Sequence, residues 1–176
     1  MSQEKLNITI AKLSDAEILT YLSITTFTET FAQYNTKEDM DTYLSEEMNI
    51  TKLKEELKDP NSSFFLAYYN DEAIGYAKVC TGNEPQELIK YNPLEIARIY
   101  LLKEHQDKHL GSAFINYCFN YASHQHHDLI WLGVWEHNNK AISFYKKLGF
   151  ELFGSHIFRL GQDEQTDLLM MKKLAS

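Results

Sequence analysis

The segment Glu95-Ile96-Ala97-Arg98-Ile99-Tyr100-Leu101 reads as a strand that feeds a polar stretch, Lys103-Glu104-His105-Gln106-Asp107-Lys108-His109-Leu110-Gly111-Ser112, and then a helix. A strand delivering a polar loop to a helix N-terminus can hold an anion, because the free N–H groups of the first turn and the helix dipole both favour phosphate. The three-glycine dinucleotide fingerprint and the Gly-Lys-Ser/Thr phosphate loop are both missing from this chain. A second stretch runs Trp135-Glu136-His137-Asn138-Asn139-Lys140-Ala141-Ile142-Ser143-Phe144-Tyr145-Lys146-Lys147-Leu148-Gly149-Phe150. Asn138 and Tyr145 lie seven residues apart, two turns along one helix face, so both can address the same ligand. Singly they would be a helix cap and a core aromatic. Lys147 could contact a phosphate or simply sit on a solvated face, and Tyr100 and Trp135 read as core or cleft walls.

Other chemistries find no support. His105 and His109 are four apart and His124, His126 and His127 cluster at a helix end, but the spacing and further ligands of a zinc site are absent. A solvated helix terminus suits that cluster. There is no Gly-x-Ser-x-Gly elbow. Cys80 and Cys118, the two cysteines, each sit in an apolar run and read as reduced core thiols.

The elements that must position these residues follow from periodicity. Residues 7–13 alternate like a half-buried strand, and Ser14-Asp15-Ala16-Glu17 has the form of a capping box for the helix behind it. Asn49 is placed to cap a helix carrying Ile50, Leu53 and Leu57, ended by Asp59-Pro60. Phe64–Tyr69 and Ala73–Val79 form a hairpin signal around Asn70-Asp71-Glu72. Leu94–Leu102 is strand, Leu110–Ala122 helix and Leu129–Trp135 strand, which suggests a parallel crossover. Asn138–Leu148 is a helix closed by Gly149, and strands near Phe150–Leu160 and Thr166–Lys172 finish the chain. The fold class is mixed α/β (α+β), with a mainly antiparallel sheet containing one parallel crossover.

With both stretches in view, the chain resembles the GCN-five-related N-acetyltransferase superfamily. There a Gln/Arg-x-x-Gly-x-Gly/Ala loop holds the pyrophosphate of acetyl-CoA; Gln106-Asp107-Lys108-His109-Leu110-Gly111 matches it, with His109 in place of the first glycine. Histidine is among the residues less averse to positive φ, so the loop can still form. The downstream match is Asn138-x-x-Ala141-x-x-Phe144-Tyr145-x-x-x-Gly149-Phe150. Thr26-Phe27-Thr28-Glu29-Thr30-Phe31, Ile130–Glu136 and Asp163–Leu168 resemble PaiA-like spermidine/spermine N-acetyltransferases. The resemblance implies that the backbone of Ile99, Tyr100 and Leu101 pairs with the pantetheine arm, that amides from Asp107 to Ser112 take the pyrophosphate, and that Asn138 contacts pantetheine. It also implies Tyr145 as the acid beside the sulfur, and Glu29, Trp135 and Glu136 as acceptor contacts. Acetyl-CoA is then the co-substrate, with no metal.

An amine acceptor must lose a proton before it attacks, since a lysine-like amine has a pKa of about 10.4. Glu95 is the candidate base; its ordinary role would be an ion pair with Arg98. The chain of 176 residues has 17 Lys and Arg against 25 Asp and Glu, a net charge of −8. That disfavours nucleic acid and would steer a small cationic amine inward. No apolar run has the length of a membrane span, and Met1–Lys5 lacks the plan of a signal peptide. One domain over 1–176, a cytoplasmic location and an amine acceptor, a polyamine first, are the resulting expectations. A homodimer stays open. The rival readings are an acetyltransferase for an aminoglycoside or a protein amine, and a non-catalytic acetyl-CoA-binding regulatory module.

Overall fold

A computed structural model describes residues 6–106 and 109–175. The reading of Met1–Lys5 lies outside them. In order, the elements are β1 (Leu6–Ile10), α1 (Ala16–Phe31), α2 (Lys37–Glu47), α3 (Ile50–Lys58), β2 (Ser62–Tyr69), β3 (Glu72–Cys80) and β4 (Pro93–Leu101). Then follow α4 (Leu110–His124), β5 (Leu129–Trp135), α5 (Asn139–Lys147), β6 (Glu151–Leu160) and β7 (Asp163–Lys173). The strands form one sheet in the order β1-β2-β3-β4-β5-β7-β6. Every pairing is antiparallel except β4 with β5, joined by the α4 crossover. This is the expected mixed α/β sheet.

Local chemistry sets the ends. Asn70 and Asp71 take φ of 50° and 66°, the left-handed pair that a two-residue hairpin turn needs and that Asn and Asp tolerate. Asn49 Oδ1 accepts from Lys52 N at 2.9 Å and caps α3. Gly149, at φ +87°, ends α5 in a conformation that costs glycine little. The Ser14 capping box does not form. A 3-10 turn over Leu13–Asp15 precedes α1 instead, and the Asp15 carboxylate accepts from Lys12 N at 2.7 Å. The chain thus meets α1 one residue later than the Ser14–Glu17 spacing predicts.

The sheet is covered on both faces. Phe114, Ile115, Cys118 and Ala122 of α4 pack with Phe65, Ala77, Val79, Ile96 and Ile130 in one core. Leu19 and Leu22 of α1 and Leu53 of α3 pack on Phe64, Leu66 and Tyr76 of the opposite face. Burying each Val, Leu, Ile or Phe side chain among them contributes about 1.5–3 kcal/mol.

Two irregularities in β4 set the geometry at the centre of the sheet. Lys78 pairs with Arg98 but Val79 pairs with Ile96, so Ala97 is an extra residue in β4, a β-bulge. The bulge brings Glu95, opposite Cys80, onto the same face as Arg98, although residues three apart on a regular strand face opposite ways. The parallel pairing of β4 with β5 also stops early, running from Pro93↔Leu129 to Glu95↔Trp131. Beyond it, β5 keeps its pairing with β7 while β4 keeps β3. The two central strands splay apart, and Ile96–Leu101 present a backbone edge with no strand partner on that side among the described residues.

Candidate active site

The splay opens a cleft of about 920 Å³ that passes through the sheet. Of the sequence-predicted residues it is lined by Glu29, Glu95, Ile99, Tyr100, Leu101, Gln106, Gly111, Trp135, Asn138 and Tyr145. Leu110 is buried in the α4 core. His109, Ser112, Glu136 and Lys147 do not line the cleft. Asp107 and Lys108 lie outside the described residues. His109 caps α4 with φ 56°, ψ 6°, the left-handed conformation that the missing glycine calls for. A glycine at 111 is not required by packing: a Cβ there would meet Phe144 at 3.7 Å and Leu101 at 3.9 Å, both ordinary contacts. Its bareness widens the cleft at the α4 N-terminus.

The alternative role for Glu95, an ion pair with Arg98, does not appear among the described residues. Arg98 donates two hydrogen bonds to Glu56 of α3, at 2.8 and 3.0 Å, and Lys78 Nζ lies 3.2 Å from the same carboxylate. Glu95 instead accepts from the Cys80 thiol at 3.3 Å. Burial pushes the Glu95 pKa up, opposed by the Cys80 hydrogen bond and by the positive charge of Lys78. A carboxylate with raised proton affinity and no arginine partner is suited to accept a proton. Cys80 is no nucleophile, because burial and the neighbouring Glu95 push its pKa up to about 12.

On the other face, Tyr145 packs against Phe144 and Phe150 with ring centroids 5.5 Å away in each case. Burial raises its pKa well beyond that of a free phenol, so the hydroxyl keeps its proton at any physiological pH. Asn138 spends its side-chain oxygen on the cap of α5, accepting from Ala141 N at 3.1 Å. Glu29 accepts from Lys103 N at 2.9 Å and so fixes the start of the loop before α4. Gln106 ties the same loop to β4 by donating to Leu101 O at 3.1 Å.

Sequence reasoning missed part of the cleft. His156 and Asp167, register partners on β6 and β7, line it with an Nε2–Oδ2 separation of 3.6 Å. Phe27, Phe31, Tyr34, Tyr43 and Phe158 join Trp135 in its aromatic wall. Tyr34 meets Trp135 edge-on at 4.8 Å, and Phe27 stacks on Tyr43 at 4.6 Å. Among the described residues no three His, Cys, Asp or Glu side chains could hold a metal ion. No described helix is long and apolar enough to cross a membrane.

A seven-stranded sheet split at β4 and β5, with a helix N-terminus at the mouth of the split, defines an acetyltransferase fold. The chain belongs to the acetyltransferase (GNAT) family, whose model matches residues 24–150. It is 36% identical, over 95% of its length and 98% of the relative's, to an uncharacterized N-acetyltransferase in the pepI 3′ region of Lactobacillus delbrueckii subsp. lactis. The fold is that of the PaiA N-acetyltransferase from Thermoplasma acidophilum in complex with coenzyme A. The TM-score is 0.78 at 21% identity, covering 96% of this chain and 99% of that one. A probable acetyltransferase from Staphylococcus epidermidis is similar at a TM-score of 0.77 and 17% identity, over 97% of this chain and all of that one. The co-substrate of this family is acetyl-CoA, and the site fits it: the open β4 edge offers strand-like pairing, and bare Gly111 leaves room at the helix N-terminus.

Proposed function

We propose that the protein moves the acetyl group of acetyl-CoA directly to a primary amine of a small cationic acceptor, a polyamine such as spermidine or spermine. The observation that carries this reading is that Glu95 and Tyr145, on opposite faces of the sheet, line one cleft along the open edge of β4. The three segments that resemble the polyamine enzymes also converge there. Phe27, Glu29 and Phe31 come from the first, Val134 and Trp135 from the second, and Gln165 and Asp167 from the third. Aromatic rings beside carboxylates suit an alkylammonium chain.

In the residue roles we propose, Ile99, Tyr100 and Leu101 hold the pantetheine arm through their backbone and Asn138 supports it beside α5. The loop from Gln106 to Ser112 takes the pyrophosphate. Bound acetyl-CoA supplies an acetyl thioester, open to attack by a neutral amine nitrogen. Glu95 takes the proton that the acceptor ammonium sheds, directly or through a water. Backbone N–H groups on the open edge of β4 face the reacting carbonyl and stabilise charge that develops on its oxygen. Tyr145 gives its proton to the departing sulfur as the carbon–sulfur bond breaks, and the second proton that the attacking nitrogen loses on becoming an amide restores the phenol. Neither cysteine takes part, since burial holds both thiols protonated.

Tyr145→Phe deletes the hydroxyl and keeps the ring packing. We expect kcat to fall about 10²-fold, the low end for proton donation, because a thiolate of pKa near 8.5 leaves fairly well unaided. Acetyl-CoA affinity and thermal midpoint should hold. Normal turnover, with chemistry shown to limit the rate, would end this role.

The decisive test of the function is thiol release from acetyl-CoA with and without spermidine, alongside lysine and an aminoglycoside. Spermidine and spermine should be acetylated fastest, and kcat/KM should drop as salt screens the −8 chain. Acetyl-CoA binding without turnover across the amine panel would favour a regulatory binding module.

A further inference from the structure

We propose that Asp167 and Gln165 of β7 form a subsite for a second cationic nitrogen of the acceptor, apart from the amine that is acetylated, and that the bare Cα of Gly133 keeps this subsite open. The proposal rests on the acetyl-transfer reading above and names what that cleft selects.

Asp167 is a half-hidden carboxyl group without a strong counterion. Its side chain is 17% exposed, and its ion-pair partner among the described residues is an imidazole, His156 Nε2 at 3.6 Å, longer than a hydrogen bond. The two cations deeper in the cleft, Lys78 and Arg98, are bound by Glu56. A carboxylate withdrawn from water and left with so weak a partner is a receptor for a positive charge.

The neighbouring strand leaves that carboxylate uncovered. Gly133 is an exposed residue of β5 and lines the cleft. A Cβ built on it would stand 3.4 Å from Asp167 Oδ2 and 3.6 Å from His156 Nε2. Nothing in the fold forces glycine here, since its φ is not positive and the contacts are tolerable. What the missing methyl does is leave the face of the carboxylate open, and a methyl alone, in contact with Oδ2, would cover it.

Gln165 supplies an independent sign. It is 8% exposed, and its Oε1 has no hydrogen-bond partner. The orientation of this amide is settled by its neighbours. Its Nε2 donates at 2.8 Å to Asp163 Oδ2, which can only accept, and at 2.8 Å to Asn35 Oδ1. Asn35 cannot be turned the other way, because its own nitrogen donates to Phe31 O at 2.9 Å. The orphaned atom is therefore a carbonyl oxygen that wants a donor, and with no surface open to water it meets one when an arriving N–H displaces the side chains over it. Two residues apart on one strand, Gln165 and Asp167 face the same side about 7 Å from each other. Trp135, the register partner of Asp167, adds an aromatic ring to the same wall. A charge, a neutral acceptor and an aromatic ring are together the requirements of an alkylammonium N–H group. An anionic or purely apolar extension would meet none of them.

The test compares putrescine with butylamine, which matches its carbon chain but lacks the second nitrogen. Each is titrated calorimetrically into the protein saturated with coenzyme A, and acetyl transfer to each is followed in parallel. The wild type should bind putrescine at least about tenfold more tightly than butylamine. Asp167→Asn and Gly133→Ala should each shrink that ratio to within about threefold, the first by removing the charge and the second by covering it. Circular dichroism reports folding; if Asp167→Asn unfolds, the wild-type ratio and the Gly133→Ala ratio decide. Equal affinities in the wild type, or a ratio that survives in every folded variant, would overturn the subsite. A binding ratio that behaves as expected without acetyl transfer to any amine would uphold the subsite and remove the acetylation reading. Transfer to both amines with equal affinities would do the reverse.

Discussion

Glu95→Gln is expected to lower kcat/KM for amine acetylation by about 10²–10⁴-fold, the usual worth of a positioned base, while raising the thermal midpoint. The two effects share one cause. Glu95 is withdrawn from water, and burial lifts its pKa because the charged form loses hydration that the Cys80 hydrogen bond and Lys78 do not fully replace. A base acts as the anion, and burial makes that anion costlier in the folded protein than in water. The amide keeps the shape and an acceptor for Cys80 but carries no charge. If the relief is about 1 kcal/mol, the midpoint of a domain of this size rises by roughly 2–4 °C. The pH dependence takes its sign from the same shift. The folded protein holds the Glu95 proton to higher pH than the unfolded chain does, so this group's contribution to stability falls as pH rises from the ordinary glutamate range, near 4.3, through the raised folded value. Activity runs the other way: kcat/KM should climb over that window as the carboxylate forms. Cys80, Lys78 and His156 face Glu95, and Cys80 stays protonated throughout. The acceptor's own titration is common to both enzymes and cancels in the ratio of wild type to variant. A Glu95→Gln enzyme that keeps the acid limb and its rate would return Glu95 to a structural role.

Much of the scaffold was written in local chemistry. Asn49 and Asn138 are caps because a side-chain amide oxygen satisfies an orphan N–H of the first turn. Asn70-Asp71 turns a hairpin because both tolerate positive φ, and Leu129–Leu132 of β5 is buried on both faces, an apolar run without alternation. The site was readable where it is contiguous, in β4, the loop before α4, and α5. It was not readable where it depends on pairing across distance. Nothing in the composition of Ala97 marks it as the extra residue of a bulge. Glu56 is 42 residues from Arg98, so the sequence offered Glu95, three residues away, as the partner. His156 and Asp167 meet because β6 and β7 pair in one register rather than another, and a slip of one residue would separate them. Asp15, not Ser14, manages the entry to α1 because a 3-10 turn intervenes, which the spacing Ser14–Glu17 conceals.

Glu56→Gln should be the most destabilising single substitution of a polar residue in the cleft region, at about 3–5 kcal/mol. Glu56, Arg98 and Lys78 have side chains only 13–14% exposed, so solvent screens them weakly. One carboxylate holds two cations: Arg98 through a bidentate pair of hydrogen bonds and Lys78 through an ion pair. Removing its charge leaves a guanidinium and an ammonium, register partners on β4 and β3, facing each other beneath α3 with no anion between them. That like-charge contact adds to the desolvation cost, which a surface salt bridge would not show. The thermal midpoint should drop by roughly 6–20 °C. The loss should reach function, because Arg98 adjoins Ala97 and anchors the bulge that turns Glu95 into the cleft. Stability and kcat/KM should therefore fall together, unlike in Glu95→Gln, where they move in opposite directions. A triple variant with Glu56→Leu, Arg98→Met and Lys78→Met supplies the control. Apolar groups of similar volume often replace a buried ion network at little cost, so stability should return well above that of Glu56→Gln, and urea unfolding of the three proteins measures it. A Glu56→Gln midpoint within about 1–2 °C of wild type would mean that water reaches these cations and that the network neither anchors the bulge nor stabilises the fold.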